Sequence, residues 1–294
     1  MQLLYDIVVS SDNNDYLAWQ CMLFHHSCVT HLGKVPIIVV HGDDRPLVAG
    51  YHIMEKKGGI IQRLPSMRSV NGIDYAARNV CASLKGVKTS AENILLCDPD
   101  FVFLRPIDFS KIAANLNGEA INIEQISYMT VGDHNRAILE AVCRKAWIST
   151  SKLDDIKISG GTPYLVPTQL RRYLAREWAT MTEDYLAASF LHHGVNNSEV
   201  WISVMWGFIL AALRNDIPIT LTSMCVSNQA GVTSNINNRQ IVHYCYGDDI
   251  FDKRRFTNEE AALKTVWKTQ ASEGTVNGAI AKALHEAAQF YDLV

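Results

Sequence analysis

Apolar residues fall into short runs along the chain, and small polar or charged residues break them at regular intervals. "LLYDIVVSS" (3–11) reads as a buried strand, as do "VPIIVVHG" (35–42), "GGIIQRL" (58–64) and "NILLC" (93–97). Between them the period lengthens. Leu17, Cys21, Phe24 and Cys28 line one face of a helix over 15–32. Ile73, Ala77, Val80 and Leu84 do the same over 71–86, where Gly86 supplies a stop. Short continuous apolar strands alternating with helices predict an α/β fold, a mostly parallel twisted sheet with helices on both faces. The second half is less regular. A strand is expected over 119–124, a Gly-Gly turn leading into a strand over 160–167, helices over 168–181 and 199–214, and a strand over 216–224. No internal repeat or linker interrupts the pattern, so a single domain over 1–294 is expected.

The totals narrow the class. With 294 residues, 48% of them hydrophobic and 19% charged, the chain can bury a large core. A net charge of −3 gives no sign of a general nucleic-acid or membrane-surface binder. The longest apolar run, "VWISVMWGFILAAL" (200–213), is 14 residues, short of the roughly 18–20 of a membrane span, and reads as a buried helix. The opening residues turn acidic at once, unlike a secretory signal. Seven scattered cysteines without a C-x-x-C pair read as free, buried thiols of a reducing compartment. A cytoplasmic location with no membrane partner is the expectation.

Chemistry concentrates in "LLCDPDFVFLRPID" (95–108), where Asp98 and Asp100 end one apolar run and open another. Ligands of parallel sheets bind beyond the carboxyl ends of strands. Two neighbouring carboxylates repel, and Mn2+ or Mg2+, a hard cation often shared with a diphosphate, is a physical reason to keep both. A solvated Asp-Pro turn is the alternative. Far away lies "IVHYCYGDDIFDKRRF" (241–256), in which His243 suits manganese or zinc, or is a strand-edge histidine without a ligand. Zinc is discounted, since His243 and Cys245 are too few ligands. Arg78 could reach a phosphate or pair with Asp74. "SGGTP" (159–163) could let backbone amides approach an anion or sugar, or be a plain turn. Trp201 and Trp206 could stack on a sugar, or fill a core.

Taken in order, these segments resemble the glycosyltransferases of the hydroxyproline O-arabinosyltransferase and peptidyl-serine α-galactosyltransferase group. "YLAWQCMLFHHSC" (16–28) is similar to that family's early Trp-Gln helix, and "ILLCDPDFVFLRPI" to its metal-binding strand. "ISGGTPYLVP" (158–167) is similar to its Gly-x-x-Pro segment, "WISVMWGFILAAL" to its Trp-rich helix, and "VHYCYGDDIFDKRRF" to its terminal His-x-x-Tyr-Gly motif. The resemblance implies a GT-A-type fold, with a nucleotide-binding half in 1–110 and an acceptor-side half in 111–294. It implies a retaining, nucleotide-sugar-dependent transferase with Asp98, Asp100 and His243 as metal ligands. Val9 and Ser10 would lie beside the nucleotide base. Asp98, Tyr246 and Gly247 would serve the diphosphate, and Gly160, Gly161 and Thr162 the sugar or acceptor side. Arg78 and Trp201 join the binding set under the first of their two readings above, and Lys253 either adds positive charge near the diphosphate or belongs, with Arg254 and Arg255, to a solvated basic turn. The family often carries a glutamate where Val204 stands, and Glu199, five residues earlier, is the nearest acid. Asp100 and Glu199 are the candidate catalytic acids.

The expected donor is a UDP-sugar. The expected acceptor is a hydroxyl on a peptide, a glycan or a modified DNA base, in a bacterial or viral cytoplasm. A DNA acceptor would draw on Arg171, Arg172, Arg176 and residues 253–255, and its binding would fall steeply with salt. The other reading is a non-catalytic nucleotide-sugar or carbohydrate binder that kept the fold, with Val204 as the feature in its favour.

Overall fold

The opening apolar run forms strand β1 (Tyr5–Asp12), joined by helix α1 (Asp15–Leu32) to β2 (Ile37–His41). Helix α1 is bounded by two cap signals. The Asn14 side chain accepts from the Leu17 amide at 2.9 Å, and Gly33 ends the helix in the left-handed region at φ 62°. Every residue from Ala18 to Cys28 is buried, so α1 is enclosed on all sides rather than on the single face that its spacing predicts. Helix α2 (Ala49–Lys56) leads to β3 (Ile60–Leu64), and β1, β2 and β3 pair in parallel, with Val9 opposite Ile38 and Val39 opposite Gln62.

The structure is a computed structural model that describes residues 5–42, 44–70, 72–156, 159–194, 198–228, 236, 239–245 and 247–293. A small hairpin, β4 (Ser69–Val70) and β5 (Ile73–Asp74), stands where a helix from residue 71 is expected. Arg68 holds Asp74 across it, and the Met67 amide donates to the Asn79 side chain at 2.7 Å. The helix α3 therefore starts late, at Asn79–Gly86, after a 3-10 turn over Ala76–Arg78. Then come β6 (Asn93–Cys97), β7 (Phe101–Phe103), α4 (Phe109–Leu116), β8 (Ile121–Gln125), α5 (Arg136–Lys145) and β9 (Gly160–Pro167). Helix α6 spans Arg171–His193, longer than expected, and the helix expected over 199–214 breaks at Ile202 into α7 (Ser198–Trp201) and α8 (Ser203–Arg214). The chain closes with β10 (Ile219–Thr222), β11 (Cys225–Ser227), β12 (Ile241–His243) and α9 (Val276–Phe290). The fold is mixed α/β with a mostly parallel central sheet.

Contacts group the chain into two interleaved units, one of residues 6–65, 97–108 and 224–294, the other of 1–5, 66–96 and 109–223. In the second, β9 runs antiparallel to both β6 and β8, and β10 is parallel to β8. Its core is the contact of α6 with α8, where Trp178 meets Tyr164 and Phe208 with ring centroids 5.1 and 4.7 Å apart. Gly207 on α8 has no room for a Cβ against Thr182 of α6, so the two helices touch through backbone. In the first unit, β12 pairs antiparallel with β7 and parallel with β11. The Phe103 amide donates to Ser27 of α1 at 3.2 Å, which seats β7 on the enclosed helix. Helix α9 also packs on α1, where the Tyr291 hydroxyl meets His25 Nδ1 at 2.6 Å. No helix among the described residues is long and apolar enough to cross a membrane.

Candidate active site

The acid pair sits in a turn between two wholly buried strands, β6 and β7. Pro99 turns the chain, so Asp98 follows the first strand and Asp100 precedes the second. The antiparallel register of β12 with β7 sets His243 opposite Phe101, one residue from Asp100. The Tyr244 amide donates to the Asp100 carbonyl at 3.0 Å and fixes that register, and the Phe101 and His243 rings meet edge-on at 4.4 Å. The ligand atoms of Asp98, Asp100 and His243 lie within 4.8 Å of one another, the only such His/Cys/Asp/Glu group of three or more among the described residues. Two carboxylates and one imidazole form an oxygen-rich donor set with a single nitrogen, which fits Mn2+ better than the all-oxygen preference of Mg2+.

A fourth group completes the cluster. Lys253 places its Nζ on Asp100 Oδ2, while His243 Nε2 stands 3.3 Å from Asp100 Oδ1. Lys253 opens a 3-10 turn, Lys253–Arg255, which Asp252 caps by accepting from the Arg254 amide at 2.9 Å. Gly247 faces the same Asp252 carboxylate, which fills the space that a Cβ would need. Behind the cluster, Trp19 stacks on Tyr244 at 6.0 Å, meets Phe251 and Phe256 edge-on, and donates its indole N–H to the Phe256 carbonyl at 3.1 Å. The stack ties α1 to the segment that carries His243 and Lys253. Neither the Lys253–Asp100 pair nor this aromatic support follows from motif spacing, because the partners lie far apart in sequence. The aromatic residues at 244, 251 and 256 were the available signal.

The charges are unevenly balanced. Removal from water and then the Asp100 charge push the Asp98 carboxyl up to about 6. Burial works in the same direction on Asp100, but the Lys253 ammonium and the His243 imidazole outweigh it and hold that carboxyl well below the usual range. Burial works to lower the Lys253 ammonium, and Asp100 outweighs it and raises it. Asp98 is thus the acid in which burial and the Asp100 charge outweigh His243 and Lys253, an excess that a cation in the group would relieve.

The other candidate residues take varied places. Val9 is fully buried in β1, so only its backbone can meet a ligand, and Ser10 beside it is half-buried. Tyr246 lies outside the described residues. Arg254 and Arg255 spend their side chains on Asp252 and on the carbonyls of Asp248 and Asp249. The remaining candidates belong to the second unit. Arg78 is neither a free phosphate arm nor the partner of Asp74: its guanidinium holds Glu183 and donates to the Met67 carbonyl at 2.6 Å. Gly160 and Gly161 are buried in β9, where a Cβ would strike the Glu124 backbone and Met205 respectively, so close packing explains both glycines. Thr162 is buried next to them, and its Oγ1 has no hydrogen-bond partner among the described residues.

The two tryptophans divide. Trp206 is fully buried and stacks on Tyr185 at 6.4 Å, whereas Trp201 is 71% exposed. Glu199 is buried and accepts a hydrogen bond from the Tyr185 hydroxyl, which burial and the Glu199 charge keep protonated far above the usual tyrosine range. That commitment gives Glu199 a structural part in anchoring α7 to α6. Val204, in the place of the expected acid, packs with Tyr75 and Leu186.

Comparison with known proteins places this geometry. The model of the hydroxyproline O-arabinosyltransferase family N-terminal domain matches residues 73–221, just over half of the chain. No curated protein is significantly similar to the chain in sequence. Among solved structures, the galactosyltransferase LgtC in complex with donor and acceptor sugar analogs has a TM-score of 0.53 at 11% identity, over 97% of this chain and 95% of that one. The bifunctional glycosyltransferase WbbM has a TM-score of 0.50 at 10% identity, over 98% of this chain and 52% of that one. GlyE of Streptococcus pneumoniae TIGR4, also a glycosyltransferase, has a TM-score of 0.50 at 11% identity, over 98% and 63%. At such identities the likeness speaks for the fold, which is of the GT-A type. With the acid pair inside the matched segment, the chain belongs to the hydroxyproline O-arabinosyltransferase family and is a glycosyltransferase.

Proposed function

We propose that the chain is a metal-dependent, retaining glycosyltransferase that moves a pentose or hexose from a UDP-sugar to a hydroxyl of a peptide or glycan. The observation that carries this reading is the convergence of Asp98, Asp100 and His243 at the mouth of two buried strands. These three residues would hold Mn2+ or Mg2+. When bound, the cation neutralises charge that builds on the nucleoside-diphosphate leaving group. Lys253 supplies a sheltered positive charge beside the same place, and Val9 and Ser10 lie within β1, whose backbone would meet the nucleotide base.

Retention follows from the family resemblance. The acceptor oxygen bonds to the anomeric carbon on the face that the diphosphate leaves, and a departing phosphate oxygen takes the hydroxyl proton. This step needs no protein nucleophile, which accords with valine at 204 and with a Glu199 held by Tyr185. Trp201, exposed at 71%, is the residue best suited to stack on an acceptor or sugar face. A DNA acceptor is disfavoured by the engagement of its proposed basic contacts: Arg171 donates to the Val87 carbonyl at 3.0 Å, Arg176 pairs with Glu177, and Arg254 with Asp252. Five of the seven cysteines are buried, which supports a reducing cytoplasm. Val204 keeps the non-catalytic binder as the second reading.

The test is a panel of nucleotide sugars with Mn2+, followed by nucleoside-diphosphate release, with Asp100→Ala in parallel. Release from one donor is expected, abolished by chelation and reduced roughly a hundredfold or more in the variant. Donor binding without release in the presence of peptide and glycan acceptors would favour the binder. Neither binding nor release would remove the donor site altogether.

A further inference from the structure

Both oxygens of the Asp100 carboxylate are taken by protein groups, Oδ1 by His243 Nε2 at 3.3 Å and Oδ2 by the Lys253 ammonium. The pair is sheltered, with side-chain exposures of 15% for Lys253 and 9% for Asp100. Among the described residues Asp98 has no ion pair with a lysine or arginine, while the other nearby acid, Asp252, is occupied by Arg254. Among the described residues Lys253 is therefore the one lysine or arginine on the acid pair, and it sits on an oxygen that a divalent ion would need. Its flexible four-carbon stem lets the ammonium move without the turn that carries it.

We propose that Lys253 is an internal counter-ion of the acid pair, displaced from Asp100 when a divalent cation binds and received by the donor diphosphate. The proposal rests on the reading of Asp98, Asp100 and His243 as a cation site. Its consequence is a coupling. The cation alone must break a buried ion pair and leave the ammonium without a partner, which is costly in a sheltered place. The cation together with a nucleoside diphosphate gives the ammonium a new anionic partner. Each then raises the affinity of the other, and by linkage the effect is reciprocal. Lys253 thereby keeps the site from filling with a cation before the donor arrives, and keeps Asp100 compensated until it does.

The experiment measures Mn2+ affinity directly, from the electron paramagnetic resonance signal of free Mn2+, with and without UDP, for the wild type, Lys253→Met and Asp100→Asn. The wild type should bind Mn2+ roughly tenfold or more tightly with UDP than without. Lys253→Met should bind Mn2+ alone roughly tenfold more tightly than the wild type, and UDP should add much less in that variant. Asp100→Asn should lose binding in both conditions. Lys253→Gln, which keeps a hydrogen-bond donor for Asp100 without the charge, gives the same reading where Lys253→Met does not fold. Unchanged or weaker Mn2+ binding in both uncharged variants, or an undiminished UDP effect, overturns the counter-ion role while leaving the cation site standing. Absence of Mn2+ binding in every protein, with and without UDP, removes the site and the inference together.

Discussion

Trp201 and Trp206 stand five positions apart on the same apolar stretch, yet one is 71% exposed and the other fully buried. Sequence cannot separate them, because the break at Ile202 resets the helical phase between them. Their consequences differ in a measurable way. Trp206→Ala should cost about 3–5 kcal/mol in urea unfolding, as for a large aromatic removed from a packed core. Trp201→Ala should stay within about 0.5 kcal/mol of the wild type. Equal losses would contradict the division. At the same scale, Asp98 and Asp100 were legible from residue type as a cation-binding pair, whereas His243 joined them only through the family resemblance, and the fold brings the three within 4.8 Å. Lys253 was legible as a basic residue near the site but not as the partner of Asp100, a pairing across 153 residues that only the fold creates. Gly160 and Gly161 were misleading for a physical reason. A glycine kept so that a neighbouring strand or the Met205 side chain can approach looks in sequence like a glycine kept to admit a ligand.

Among elements, the strands that became β1, β2, β3, β6 and β9 could be read almost to their ends, because each is a continuous apolar run between turn residues. The hairpin of β4 and β5 could not, since Ile73 and Ala77 serve helical spacing and packing against Tyr75 and Leu186 equally well. Helix α9 also escaped notice, and it carries a testable contact. Burial, and then the neighbouring His26, hold the α1 residue His25 down from 6.5 to about 4, so the folded protein favours its neutral form bonded to Tyr291. The unfolded chain takes up that proton near 6.5, so the neutral-His25 contribution is complete above that pH and is lost as pH falls toward 4. The loss amounts to at most about 3 kcal/mol. Thermal midpoints measured from pH 7 down to pH 4.5 should therefore fall more steeply for the wild type than for His25→Gln. Parallel curves would show that α1 and α9 are not the acid-sensitive contact.

For the whole molecule, the alternation of strands and helices gave the α/β class, and a thin resemblance gave the family. The interleaving of two units could not be read, because it depends on where the chain crosses between them, near residues 5, 65, 96, 108 and 223. That interleaving matters for function. The family match ends at residue 221, so it includes the acid pair but not His243 or Lys253. The last 71 residues in the first unit, 224–294, bring both residues to Asp100 through the β7–β12 pairing and the Asp252-capped turn. The site is thus assembled from two distant stretches held on one buried helix, α1, by Ser27 and Trp19. The central claim is that this assembly binds a divalent cation together with the donor diphosphate. Its most direct test is anomalous diffraction at the manganese edge from crystals grown with Mn2+ and UDP. A single peak within bonding distance of Asp98, Asp100 and His243 and of the diphosphate oxygens is expected, with Lys253 turned from Asp100 to the phosphates. UDP bound with no peak at these three side chains, or with the peak elsewhere, would contradict it.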